Sequence, residues 1–227
     1  MTPSVLTSTE KQEALKRLAK KRQQTRIEGY FFLHEFAGGI YECDHVSPWS
    51  KTSNVDAWIM VVGQDWASED QLRGPVNYDR VRLGYDPRVE TNKNVQGLLK
   101  RHFLKKFSDV YATNAFPFIK PGGMQGSIPA AHMRFAVQEF LLPQIEIIQP
   151  KIVICLGLST FNAVRESCDH DRVRRLDDAV KAAFDFRCSM IFAVAHAGAR
   201  GQKNRGRDLV EEDWASIRRL SKLCKSG

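Results

Sequence analysis

The chain has 227 residues, 43% of them hydrophobic, which is enough for one sizeable core, and it lacks the internal repeats of an array. Thirty-four Lys and Arg against 26 Asp and Glu leave a formal charge of +8, a balance that favours polyanionic partners. No apolar segment approaches the roughly 20 residues that cross a bilayer, and MTPSVLTSTEKQEALKRLAKKRQQTR lacks the apolar centre of a signal peptide, so the expectation is a cytoplasmic protein with no membrane partner.

In chain order, residues 8–28 read as an appended basic helix, with Thr9 placed to cap its start, Gln12 to complete a capping box, and Leu15, Leu18 and Ala19 as a narrow apolar stripe. YFFLHEF then anchors to the core, and residues 37–54 read as loop. Four apolar runs rich in β-branched residues follow at 57–62, 109–113, 151–156 and 189–195, and each predicts a strand. Helix-like stretches at 94–107, 130–148 and 158–166 separate them, and another covers 208–224. Nearly unbroken apolar strands alternating with helices predict a three-layer α/β/α sandwich around a central four-stranded, mainly parallel sheet, in one domain spanning residues 1–227. A monomer is expected. Five cysteines without a recurring spacing fit a reducing compartment, with Cys155 a small buried apolar residue.

In open parallel sheets, ligands bind beyond the carboxyl ends of the strands. The four predicted strands end at Gly63-Gln64-Asp65, Asn114, Gly157 and His196, so that edge gathers a carboxylate, an amide and an imidazole from distant parts of the sequence. A carboxylate can orient water or stabilise a developing cation, an amide can read an amide-like edge, and a histidine can donate to a developing anion. Together these roles suit cleavage of a bond to a planar heterocycle. Each residue also has a plainer reading: a helix cap for Asp65, an Asx turn for Asn114, a structural histidine for His196.

VVGQDWAS, VYATNAFPF and FAVAHAGARG, in that order, resemble the first, second and last motifs of the uracil-DNA glycosylase superfamily, and PKIVICLGLSTFNAV is similar to the strand, glycine and helix before the last motif. The resemblance covers roughly residues 55 to 220 and lies nearer the branch with GQD than the iron-sulfur branch, whose paired cysteine spacings Cys43, Cys155, Cys168, Cys188 and Cys224 do not reproduce. It implies that Asp65 positions the attacking water and stabilises the sugar cation, Gln64 offers a backbone contact to the base, Asn114 reads the uracil edge, and His196 donates to uracil O2. The flipped base needs an aromatic platform, for which Tyr85 is favoured over Tyr78, and Phe116 joins the uracil-binding set. Trp66 stands where the best-known members have Pro, and Ala67 where they have the Tyr that blocks the thymine methyl. Either Trp66 serves as that barrier or the pocket tolerates substituents at C5.

The likeness also implies a DNA interface: Lys120 in the glycine-rich loop 120–127, Arg200 as the wedge entering the duplex after His196, and Lys203, Arg205 and Arg207 on phosphates. The expected partner is uracil-containing DNA, single- or double-stranded, with no cofactor and no metal. His34, Cys43 and His45 are the one set considered for zinc, and their spacing is irregular. The expected activity is that of a monofunctional glycosylase leaving an abasic site. The alternative is a binder on the same fold that is non-catalytic or traps the sugar covalently through His196.

Overall fold

The computed structural model describes residues 6–223. Its first element is helix α1 (Ser8–Gln24), which ends earlier than the predicted span. Its cap is Thr7 rather than Thr9: the Thr7 hydroxyl accepts from the Glu10 N–H and the Glu10 carboxylate accepts from the Thr7 N–H. Thr7-x-x-Glu10 and Thr9-x-x-Gln12 carry the same signature, and a glutamate at the third position adds a favourable charge at the positive end of the helix dipole.

Strand β1 (Ile59–Asp65) leads through the short helices α2 (Glu69–Arg73) and α3 (Tyr78–Leu83) to α4 (Glu90–Phe103). Helix α4 starts four residues before the predicted 94, and Leu104, in the left-handed region at φ 55°, ends it before the predicted 107. Strand β2 (Tyr111–Phe116) follows. The span predicted as one helix at 130–148 is α5 (Ala130–Ala136), a π turn (Val137–Leu141) and α6 (Leu142–Ile148). Pro143, which has no N–H to offer, sits at the start of α6, and the wider turn ahead of it accommodates the missing bond. Then come β3 (Ile152–Leu156), α7 (Leu158–Ser167), α8 (Leu176–Ala179), β4 (Phe184–Phe186), β5 (Ser189–Val194), α9 (Ala199–Arg205) and α10 (Arg207–Leu223). Cys224, the last residue of the predicted final helix, lies outside the described residues.

The sheet has five strands rather than four, in the order β2-β1-β3-β5-β4. The added β4 is three residues long and pairs antiparallel with β5, through a tight connection with Arg187 at φ 55°. The other pairings are parallel. One sheet face, with Met60, Val62, Val153, Cys155 and Ile191, packs on α5 to α7 through Met133, Phe140, Ile145 and Phe161. The other, with Ile59, Val61, Ile154, Phe192 and Val194, packs on α4 and α10 through Leu98, Leu99, Val210 and Trp214. Alternate residues of each strand thus enter different cores, which is why the strands are apolar throughout.

Helix α1 is bolted to the domain rather than merely laid on it. The Arg22 side chain is 1% exposed; it forms a two-pronged pair with Glu42, 2.5 and 3.2 Å, and donates to the carbonyls of Cys43 and His45. Burial alone would raise the Glu42 carboxyl, but Arg22 more than offsets it and holds it below its ordinary range. A depressed carboxyl contributes stability above its unfolded value and loses it as pH falls. Arg22→Met should therefore destabilise the protein by about 3 kcal/mol at pH 7, as expected for breaking a buried pair, and by less near pH 4. Urea unfolding at the two pH values measures both.

Candidate active site

The carboxyl ends of β1, β2, β3 and β5 border a cavity of about 110 Å³, well below the roughly 300 Å³ at which drug-sized ligand pockets begin. Gln64, Asp65, Trp66, Tyr85, Asn114 and His196 all line it. Gln64 and Asp65 are the last residues of β1 itself, and Asn114 lies within β2 rather than beyond it.

The parallel register sets Asn114 beside Gly63. A Cβ on Gly63 would lie 2.8 Å from Asn114 Nδ2 and 3.0 Å from Trp49 Cζ3, so the motif's glycine makes room for the amide and the indole together. Ser47 fixes which way the amide points. Its hydroxyl oxygen accepts from the Trp49 N–H at 3.2 Å and its proton goes to Asn114 Oδ1 at 2.6 Å. The Asn114 NH2 group and one remaining lone pair of Oδ1 are then left for a ligand, a donor and acceptor side by side.

Asp65 is nearly enclosed, its side chain 6% exposed, and its Oδ2 lies 3.0 Å from Lys120 Nζ, itself 3% exposed. The ammonium also donates to the carbonyls of Met124 at 2.7 Å and Gly126 at 3.1 Å. Burial pushes the Asp65 carboxyl above its ordinary value, and Lys120, with a smaller contribution from His196, opposes the rise. Lys120, expected on a phosphate, is instead an internal residue whose three N–H groups face partners within the protein.

His196 sits just past β5, with its outer side open to solvent. The Gly198 N–H points at His196 Nδ1 from 3.0 Å. A backbone N–H can only donate, so Nδ1 keeps its lone pair and the neutral ring carries its proton on Nε2. The surrounding protein lowers the His196 value below that of a free imidazole, with Asp65 partly opposing, which favours this neutral form. The turn behind the ring closes tightly: a Cβ on Gly201 would lie 2.2 Å from the His196 carbonyl oxygen. Asn94 of α4 donates to the Ala197 carbonyl at 2.7 Å and ties the turn to the helix.

Tyr85 rather than Tyr78 reaches the cavity; Tyr78 is 72% exposed and lines a separate groove. Tyr85 packs edge-on against Phe107, centroids 4.7 Å apart. Trp66 is held by its indole N–H on the Gly84 carbonyl at 2.7 Å and by the Arg80 guanidinium 5.5 Å above its ring. Phe116, expected in the base pocket, belongs to the core, fully buried against Tyr30 and Phe118. Arg205, expected on a phosphate, is bound through both edges of its guanidinium to Asp213, at 2.8 and 2.9 Å, and to Asp177. The segment after His196 is the two-turn helix α9 where a loop was expected, with Arg200 and Lys203 exposed on it and Arg207 exposed just beyond.

Trp49, Ser47, Arg80 and Met124 complete the surroundings and were not legible in the sequence. HVSPWS reads as loop, and only the tertiary structure brings it under Gly63. The one available signal was Ser47-Pro48, a capping residue before a helix-starting proline, and it marks a turn but not a site. Of the set considered for zinc, His34 turns toward Glu42 at 3.6 Å, and among the described residues no group of three or more His, Cys, Asp or Glu is arranged to hold a metal.

Lys120→Met should leave Asp65 buried without a counter-charge and cost about 3 to 5 kcal/mol. The double variant with Asp65→Asn removes both charges and should recover most of that loss, as read by denaturant unfolding of the two proteins.

No curated protein matches the chain. The model of the uracil DNA glycosylase superfamily, however, matches residues 50–218, a span that holds β1 to β5 and each strand-end residue lining the cavity. With that match over most of its length, the chain belongs to the uracil DNA glycosylase superfamily.

Proposed function

We propose that this protein is a monofunctional DNA glycosylase that hydrolyses the N-glycosidic bond of deoxyuridine in DNA and leaves an abasic site. The observation that carries this reading is the meeting of Asp65, Asn114 and an Nε2-protonated His196 around a cavity sized for one small planar base. Family membership supports a glycosylase acting on DNA.

In this mechanism the nucleotide leaves the stack and its base enters between Tyr85, Trp66 and Asn114. The C1′–N1 bond breaks with both electrons going to the base, and negative charge gathers on O2. His196 Nε2–H donates a hydrogen bond to that oxygen, so the base departs as a stabilised anion. The Asp65 carboxylate faces the cationic sugar and orients a water, whose oxygen bonds to C1′ while its proton leaves through the carboxylate to solvent. Asn114 meets the donor-acceptor edge of uracil, and Ser47 keeps the amide from rotating. Trp66, clamped between Gly84 and Arg80, is the wall that meets the C5 side of the base.

The test is alkali-revealed cleavage of end-labelled oligonucleotides carrying one uracil, single-stranded and opposite G or A, in chelator. Wild type should cleave, and Asp65→Asn should slow single-turnover excision by roughly a hundredfold to ten-thousandfold, the usual range for a positioned base. A heat-stable protein–DNA adduct in place of free abasic product would favour covalent trapping instead.

The rate should also fall on acidification. Asp65 must be ionised, and burial raises its value; His196 must be neutral, and burial lowers its value. Both groups therefore lose their working form as pH drops below about 6, and neither costs activity on the alkaline side. Excision rates from pH 4.5 to 9 should show a single acid limb, and a bell with an alkaline limb near neutrality would contradict these assignments.

A further inference from the structure

We propose that Met124 is the apolar wedge by which this protein enters duplex DNA, held at the rim of the base cavity by the buried ammonium of Lys120. The inference rests on the glycosylase reading above.

A flipped nucleotide leaves a gap in the stack, and proteins that bend or open DNA commonly fill such gaps with an apolar side chain. The segment after His196 does not supply one. It is helix α9, its candidate Arg200 is not part of the cavity wall, and Arg205 is consumed by Asp213 and Asp177. Among the described residues the large exposed hydrophobics are Ile40, Tyr78, Leu104, Met124, Phe135, Leu209 and Leu220, and of these Met124 alone lines the base cavity. It is 42% exposed.

A single exposed methionine is ordinary; its mounting here is not. The backbone around it is fastened on both sides. Lys120 Nζ holds the carbonyls of Met124 and Gly126, and Gly126 N–H closes a turn on Gly123 at 3.1 Å. At the base of the loop, Glu69 N–H donates to the Lys120 carbonyl at 2.9 Å, Asp70 N–H to the Gly122 carbonyl at 3.1 Å, and Gly122 N–H to the Glu69 carboxylate at 3.0 Å. The result is a fixed backbone carrying a free, unbranched apolar side chain. A wedge needs this combination, because unstacking a base step is costly and a slack loop would recoil, while an unbranched thioether adapts to an irregular gap. The same ammonium pairs with Asp65, so the wedge and the carboxylate that acts on the sugar share one anchor.

The experiment compares uracil excision from one oligonucleotide as a single strand and as a duplex, under single-turnover conditions, for wild type, Met124→Ala, Met124→Leu and Leu209→Ala. Leu209 is the exposed apolar residue of the neighbouring groove, on the other side of His196. Met124→Ala should fall on the order of tenfold on duplex and stay within about twofold on the single strand, Met124→Leu should restore the duplex rate, and Leu209→Ala should resemble wild type. A parallel arm reads 2-aminopurine beside the uracil: wild type should raise its fluorescence on binding and Met124→Ala should not. An equal fall on both substrates makes Met124 a lid over the base and overturns the proposal, as does no change in either, or a duplex-specific loss in Leu209→Ala instead. Absence of excision by wild type would sink the glycosylase reading itself, and the fluorescence arm, which needs no chemistry, would still decide whether Met124 opens the stack.

Discussion

The arrangement of the site depends on a carboxylate kept inside the protein opposite a single buried ammonium. An ionised aspartate with 6% of its side chain exposed is expensive unless it is paired, and Lys120 provides the pairing at 3.0 Å. That pairing has a structural consequence beyond charge. A lysine drawn inward to meet Asp65 must place its remaining N–H groups, and it places them on the carbonyls of the loop that follows. The carboxylate and the loop at the cavity rim are therefore one mechanical unit. The pair is not a device for raising stability, because apolar residues of like volume generally do as well; its value is that a charge is held ready in a site with little water.

A second constraint is the parallel register. Because β1 and β2 run side by side with Gly63 opposite Asn114, an amide and a carboxylate from sequence positions 49 residues apart face one cavity. The histidine comes from the other side of the sheet centre, across β3, and its proton is placed by a backbone amide two residues on. Each of the three groups thus has its orientation set by a neighbour that does not enter the chemistry: Lys120 for Asp65, Ser47 for Asn114, Gly198 for His196. Orientation fixed before the substrate arrives is what makes such groups effective, since little reorganisation remains at the moment of reaction.

The positive charge of the chain divides into two populations that a charge count merges. Arg22, Lys120 and Arg205 are internal, each spent on carboxylates or carbonyls, and they join segments distant in sequence. Arg200, Lys203 and Arg207 remain on the surface beside the site, free to meet a polyanion. Only the second group bears on a nucleic-acid partner.

By itself the sequence determined the layered fold, through apolar runs with strand character separated by amphipathic stretches, and it determined that Asp65, Asn114 and His196 share one edge, because strand ends in a parallel sheet converge. It could not show β4, since three residues carry too little pattern. It could not show that the helix at 130–148 widens into a π turn before Pro143, because the apolar period persists through it. Which basic residues are buried, that Phe116 faces the core while Tyr85 faces the cavity, and that Ser47 and Trp49 rise from an apparent loop to complete the site were decided by the tertiary structure alone. The reason is physical: a residue's type says what it can do, and only its distance from partners far away in the chain says whether that capacity is still available.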